Sequence, residues 1–377
     1  MMNLIAKPNI GYFIDEDLPM ANVISYIVNQ DATYLSPYAN MIVFKAGSKK
    51  KDEMSSLSYQ VCQSKQLKIP FTDIRLKIPF IDHHFEHTLK QAKLDLVHIR
   101  STGPMGRLGV LYGQKHGIPV IATRYVSSAK PRMLDILNLC DEVWVSNPYA
   151  KELSQKEGLK HDPIVMRYAT DLNDVFHREK ETVLKQKYQI KPDEKILLYV
   201  SQSDENQNLH FILESMYRLR IKGFKFKLLM IGQGFDESHI QTDLKKFGLK
   251  DRVVIVPEVI DGVERSVHYH LSDLLINLKS GDQLTMAHIE ASSQKIPTLA
   301  LSNSFLSSEI TDHRNGYLVE EDSNRVADKI MSIFKNYKLY LKVKEQCFKD
   351  LYRSWGDRGH HLYMRYLEKM RQQKKES

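Results

Sequence analysis

The chain of 377 residues has only three cysteines, Cys62, Cys140 and Cys347. They are too few and too scattered for a disulfide framework or a cysteine-rich zinc site, so a reducing cytoplasm is the expected setting. Long apolar runs are missing too. No window approaches the ~18 uncharged apolar residues that a membrane-spanning helix needs. The opening stretch, MMNLIAKPNIGYFIDEDL, has no continuous apolar run of signal-peptide length. The sequence therefore predicts a cytoplasmic protein, soluble or peripheral on the inner face of the cell membrane. The aromatic–basic motifs of the known nucleic-acid modules are also lacking, and no nucleic-acid partner is expected.

What is present is ordinary for a globular chain: 42% apolar and 27% charged residues. Basic residues outnumber acidic ones by 54 to 46, a net charge of +8. That surplus favours acidic partners such as anionic lipid surfaces or phosphorylated substrates. The length suits two domains of ~100–200 residues each.

Short β-rich runs alternate with helical patterns. IGYFI, NMIVFKA, LVHIR, IPVIATRY, EVWVS and PIVMRY read as strands in the first half. KILLYVS, KFKLLMIG, RVVIVP, DLLINL and PTLALS do so in the second. Strand–helix alternation predicts parallel sheets covered by helices on both faces. Two such series predict an α/β chain of two Rossmann-like, doubly wound domains facing across a cleft. The expected boundaries are 1–175 for the first domain and 176–355 for the second. Residues 356–377 read as a helix crossing back to the first domain and fading into a basic tail.

LKIPF occurs at 67–71 and again at 76–80. The two copies, joined by TDIR, read as an amphipathic, basic loop, with Lys49, Lys50 and Lys51 nearby. Two readings remain open: an edge strand and turn packed on the first domain, or a contact in which Phe71 and Phe80 enter an anionic membrane surface. His83, His84 and His87 with Glu86 have a spacing compatible with a metal site. Their polar surface context argues against one, and no metal is expected. His268 and His270 read as structural. Gly103, Gly106 and Gly109 either open the backbone to a ligand or let a helix lie close on a strand. Gly232 and Gly234 either admit a nucleobase or make a turn.

In the second half the signals come in a definite order. LLYVS leads into the 201–208 loop, and KFKLLMIGQG follows. Then come FGLKDRVVIV, the block YHLSDLLINLKSGDQLTMAHIEASSQKIPTLAL, and RNGYLVEED. This order resembles the GT-B-fold, family 4 (group 1) retaining glycosyltransferases. The likeness is looser in the first half, through DLVHIRSTGPMGRLGVLYGQKHGIPVIATRY. FIDEDLPMANVIS and the LKIPF loop are most similar to the branch that glycosylates diacylglycerol.

The resemblance implies a site. The family's acid-x7-acid pattern falls on Asp282 and Glu290. Glu290 would accept hydrogen bonds from the ribose hydroxyls of the donor, and Asp282 would position its sugar. Backbone N–H groups near Leu284, Thr285 and Met286 would face the diphosphate, and Gly234 would lie by the base. Tyr125 stands where relatives carry a His that supports the acceptor hydroxyl. The implied partners are a nucleotide-sugar donor, UDP-linked, and a lipid or glycan acceptor, with no separate cofactor.

Besides Tyr125, four positions depart from the family pattern. Asp282 replaces a Glu and is ~1.5 Å shorter, where productive geometry must hold within ~0.5 Å. Thr285 replaces a Gly. Gln202 and Gln207 stand where the family has Arg and Lys, and Asp204 and Glu205 lie between them. Each lost cation removes roughly 3–4 kcal/mol of electrostatic stabilisation. Arg265, Lys279 and Lys295 are the available substitutes. Two functions follow: a retaining hexosyltransferase, or a catalytically inactive partner subunit of the same fold.

Overall fold

The structure is a computed structural model. It describes residues 7–18, 22–46, 57–68, 75–77, 82–125, 131–172, 178–201, 208–232, 235, 237–256, 262–279 and 286–376. The chain forms two compact units: Met1–Tyr168 with Trp355–Ser377, and Ala169–Ser354. The first unit thus ends before residue 175 and takes back the last segment of the chain.

In the first unit the strands are β1 (Asn9–Ile14), β2 (Asn40–Lys45), β3 (Gln60–Gln63), β4 (Gln66–Lys68), β5 (Arg75–Lys77), β6 (Leu96–Ile99), β7 (Val120–Arg124), β8 (Glu142–Val145) and β9 (Ile164–Val165). Helices α1 (Val23–Leu35), α2 (His83–Gln91), α3 (Pro104–His116), α4 (Pro131–Leu137) and α5 (Pro148–Lys156) alternate with them. Seven strands make one sheet in the order β3-β2-β1-β6-β7-β8-β9, and every pair in it is parallel. The central strands are buried on both faces, and for that reason they read as apolar runs rather than alternating ones.

The second unit repeats the scheme. Its elements are α6 (Arg178–Lys187), β10 (Lys195–Ser201), α7 (Leu209–Ile221), β11 (Phe226–Gly232), α8 (Glu237–Lys246), β12 (Val253–Val256), α9 (Gly262–Leu271), β13 (Leu274–Asn277), α10 (Ala287–Ser293), β14 (Thr298–Leu301), β15 (Tyr317–Val319), α11 (Ser323–Lys335) and α12 (Tyr337–Leu351). The sheet order is β12-β11-β10-β13-β14-β15, again all parallel. The last helix, α13 (Trp355–Glu376), packs on α1 and sends Leu362 and Tyr366 into the core of the first unit.

Each sheet is wound outward in both directions from its middle. The winding reverses between β1 and β6 in the first unit and between β10 and β13 in the second. In such sheets the loops leaving the strands at the reversal diverge and open a crevice beyond the strand ends. The residues that leave β1 and β6 are Asp15 and Arg100; Ser201 ends β10 and Leu278 follows β13.

The two LKIPF copies begin as the arms of a hairpin rather than as loop. β4 and β5 pair antiparallel, with Leu67 opposite Leu76 and Lys68 opposite Arg75. This pair stands as its own two-stranded sheet. Phe71, Phe80 and Lys49–Lys51 lie outside the described residues.

Candidate functional site

The loops assigned to the donor leave the second sheet at its reversal point. Asn208, in the left-handed region at φ 71°, donates from Nδ2 to the Leu278 carbonyl at 3.1 Å. The start of α7 is thereby tied to the exit of β13. Gln202, Gln207, Gly234, Asp282, Leu284 and Thr285 lie outside the described residues. Glu290 and Met286 lie within them.

Met286 precedes α10 and its carbonyl accepts from Glu290 N at 3.0 Å, so Glu290 sits in the first turn of a helix whose seven residues are all buried. The Glu290 side chain is 6% exposed. Oε2 accepts from Tyr269 Oη at 2.6 Å, and Oε1 faces Arg265 Nη1 at 3.4 Å. Arg265 and Tyr269 are four apart on α9 and so share one face of that helix. Burial, reinforced by the Glu290 charge, pushes the Tyr269 phenol well above its ordinary pKa. It stays a donor. A carboxylate has roughly four acceptor positions, and two remain for a ligand. On the neighbouring turn, His288 Nε2 meets Glu309 Oε2 at 3.0 Å, both side chains buried, which fixes the other side of α10.

The substitute cations are placed differently from one another. Arg265 is engaged with Glu290. Lys295 is held by both carboxylate oxygens of Glu345 at 2.9 Å and lies over the Phe348 ring. Lys279 follows β13 directly before the undescribed residues 280–285. Gly232 has φ +132°, and a Cβ there would lie 1.9 Å from the Ser201 carbonyl oxygen. Close approach of β11 to β10 therefore explains that glycine. His268 is structural: Nδ1 donates to the Glu264 carbonyl at 2.8 Å, and Nε2 pairs with Tyr188 Oη at 2.8 Å.

In the first unit, Tyr125 is half-buried just past β7. Its oxygen accepts from Arg100 Nε at 2.9 Å and Nη2 at 2.6 Å. Its ring lies parallel to that of Tyr168, 6.5 Å away. Burial raises its pKa to about 12, so this phenol donates a hydrogen bond and does not act as a base near neutrality. Arg100 Nη2 also donates to Asp31 Oδ2 at 2.8 Å. Arg358, from α13, donates to Asp31 Oδ1 at 2.6 Å and Oδ2 at 2.9 Å. This group carries no sequence signal, since Asp31 and Arg358 lie at opposite ends of the chain.

The glycines of α3 serve packing. A Cβ on Gly103 would lie 2.4 Å from Asp15 Oδ2, one on Gly106 1.9 Å from the Ser101 carbonyl oxygen, and one on Gly109 2.9 Å from Ile99 and Phe13. Asp15 itself caps α3 by accepting from Met105 N at 3.0 Å. The first turn of α3 is thus occupied by a carboxylate of the chain. Glu86 pairs with Lys90 at 2.7 Å, and no group of three potential metal ligands occurs among the described residues.

Comparisons with known proteins agree with this architecture. The family model described as "Glycosyl transferases group 1" matches residues 180–350. An alpha-monoglucosyldiacylglycerol synthase of Streptococcus pneumoniae is 22% identical over 250 residues, 61% of this chain and 56% of that protein. An N-acetyl-alpha-D-glucosaminyl L-malate synthase of Bacillus anthracis is 24% identical over 179 residues, 47% of this chain and 46% of that one. The chain therefore matches only about half the length of these two relatives. Among solved structures, a glycosyltransferase from Rickettsia africae has a TM-score of 0.78 at 17% identity, covering 97% of this chain and 99% of that one. Anabaena HepE, crystallised with UDP and glucose, has a TM-score of 0.74 at 11% identity, covering 95% and 98%. Residues 180–350, Glu290 among them, thus match the model of the group 1 glycosyl transferases, and the two parallel-sheet α/β units have the GT-B fold.

Proposed function

We propose that this chain transfers a hexose from a nucleotide sugar, UDP-linked, to a membrane lipid or cell-envelope glycan with retention of configuration. The observation that carries the reading is the Glu290 carboxylate, oriented by Tyr269 and Arg265 with acceptor capacity to spare for a ribose diol. One relative's name supports a lipid acceptor, since it is a synthase of a monoglucosyldiacylglycerol; another is named as a synthase of a glucosaminyl malate, a small-molecule product. Asp282 positions the sugar. Gln202 and Gln207 hold the phosphates by hydrogen bonds without charge. The acceptor hydroxyl attacks the anomeric carbon on the face the nucleotide leaves, and the departing β-phosphate oxygen takes its proton. Tyr125 donates a hydrogen bond to the acceptor. No metal is required in this scheme.

No helix among the described residues is long and apolar enough to cross a membrane. Contact with a lipid acceptor is therefore assigned to the hairpin β4–β5 and the residues around it. Flotation with anionic vesicles tests this part: binding should weaken with salt and with Phe71→Ser plus Phe80→Ser.

A second reading, an inactive partner subunit, rests on a specific placement. Lys295 is committed to Glu345 and Arg265 to Glu290, so neither stands ready to replace the missing diphosphate cations. Calorimetry with UDP-glucose and UDP separates the readings. Micromolar binding that Glu290→Gln weakens, with UDP release when diacylglycerol vesicles are added, supports the transferase. Absence of binding to any nucleotide sugar replaces it with the partner subunit.

A further inference from the structure

At the reversal point of the first sheet, the Arg100–Asp31–Arg358 group has more positive than negative charge. Arg100 and Asp31 side chains are 0% exposed and Arg358 3%. Two guanidinium groups share one carboxylate, a net charge of +1 held out of water. The phenols of Tyr12 and Tyr125 are pushed upward by burial, and the buried imidazole of His98 is held neutral. None of them compensates that charge. An uncompensated buried charge is costly, and such charges are normally paired.

The hydrogen bonds locate the deficit. Every nitrogen of Arg358 is used: Nε and Nη2 on Asp31, and Nη1 on the carbonyls of Met166 and Arg167. Arg100 uses Nε and Nη2 on Tyr125 and Asp31. Its Nη1 is buried with no partner among the described residues. One face of the guanidinium lies over the Tyr12 ring, 5.0 Å from the centroid. The unpaired edge therefore belongs to a planar fork suited to a carboxylate or a phosphate. Arg100 directly follows β6, at the end of the sheet where ligands of this fold class enter. The half-buried Tyr125 is the side of the group that reaches the surface.

We propose that Arg100 Nη1 forms an oxyanion site in the first unit that takes a carboxylate or phosphate group of a small ligand. The site deepens the proposed function only if that ligand is the acceptor, and it stands without it. An occupying oxyanion brings the group to charge neutrality and satisfies the last guanidinium nitrogen. Tyr125 competes for the same cation, since its oxygen occupies two other Arg100 donors.

The test is calorimetry of the full chain with sodium succinate and, separately, inorganic phosphate, at ionic strength held constant with chloride. Wild type should bind saturably. Arg100→Met, which leaves a balanced Asp31–Arg358 pair, should not. Tyr125→Phe frees two Arg100 donors and should bind about fivefold more tightly or better, the scale of one hydrogen bond. Binding of succinate marks a carboxylate ligand, and binding of phosphate alone a phosphate ligand; either supports the site. UDP affinity, measured alongside, should be equal in all three proteins, because UDP is assigned to the second unit. If UDP fails to bind to any of them, the donor reading falls and this one is untouched. Equal oxyanion affinity in wild type and Tyr125→Phe, or no saturable binding in either, overturns the proposal and assigns Nη1 to an ordered water. Should Arg100→Met not fold, the comparison with Tyr125→Phe alone decides.

Discussion

Tyr269 Oη lies 2.6 Å from Glu290 Oε2, and both side chains are buried. The phenol fixes which way the carboxylate turns. Tyr269→Phe keeps the ring and removes that bond, worth about 1–1.5 kcal/mol. UDP affinity should fall roughly tenfold, with kcat for transfer nearly unchanged, as expected for a contact made equally in ground and transition states. Unaltered affinity would leave Tyr269 a packing residue.

Asp31→Asn should destabilise the first unit by about 3–5 kcal/mol, because two buried guanidinium groups lose their shared counter-charge. Burial alone would raise the Asp31 pKa. The charges and hydrogen bonds of Arg358 and Arg100 overcome it and hold the carboxyl below its ordinary 3.8. A carboxylate depressed in the folded state contributes stability above its unfolded pKa, lost as pH falls through the folded value. Urea midpoints should therefore drop for wild type as pH falls below the ordinary 3.8 of the unfolded carboxyl. Asp31→Asn should show a smaller drop, so the gap between the two proteins narrows with acid. A gap independent of pH would contradict the assignment.

Gly103→Ala places a methyl group 2.4 Å from Asp15 Oδ2. The carboxylate must then leave Met105 N, and overpacking of this kind costs about 1–3 kcal/mol. Asp15→Ala loses the cap of α3 at about 1 kcal/mol. The double variant should be more stable than the sum of the two losses implies, because the obstruction is gone. Additive losses would mean the two residues do not interfere.

Gln202→Arg with Gln207→Lys restores the two cations of the family pattern. Diphosphate affinity should rise about tenfold or more, since hydrogen bonds to charged groups contribute roughly 1.5–3 kcal/mol each. Titration with UDP measures it. No change would show that the 202–207 loop does not face the phosphates.

The strands were legible because both sheets are parallel and buried on two faces. IGYFI, ILLYV and LAL are apolar runs, and each lies within a strand. Glu290 was legible from the family spacing. Its partners were only half so: Arg265 reads as a spare cation, and nothing in YHLSDLL marks Tyr269 as the group that orients a carboxylate. That contact is made across two helices, where local pattern is silent. LKIPF reads as a basic loop because each copy ends in Pro-Phe. The pairing of Leu67 with Leu76 is a register, and register depends on the turn between the arms. The Asp31–Arg358 bond was illegible for the simplest reason: it spans 327 positions.

That span has a consequence for biosynthesis. Residues 169–354 form the second unit and leave the ribosome before Arg358 does. The first unit, although synthesised earlier, cannot seat α13 against α1 or join Tyr12 to Tyr366, whose hydroxyls meet at 2.8 Å, until the chain has emerged through α13. The later-made half is thus free to finish folding while the earlier-made half waits, a reversal of the usual vectorial order.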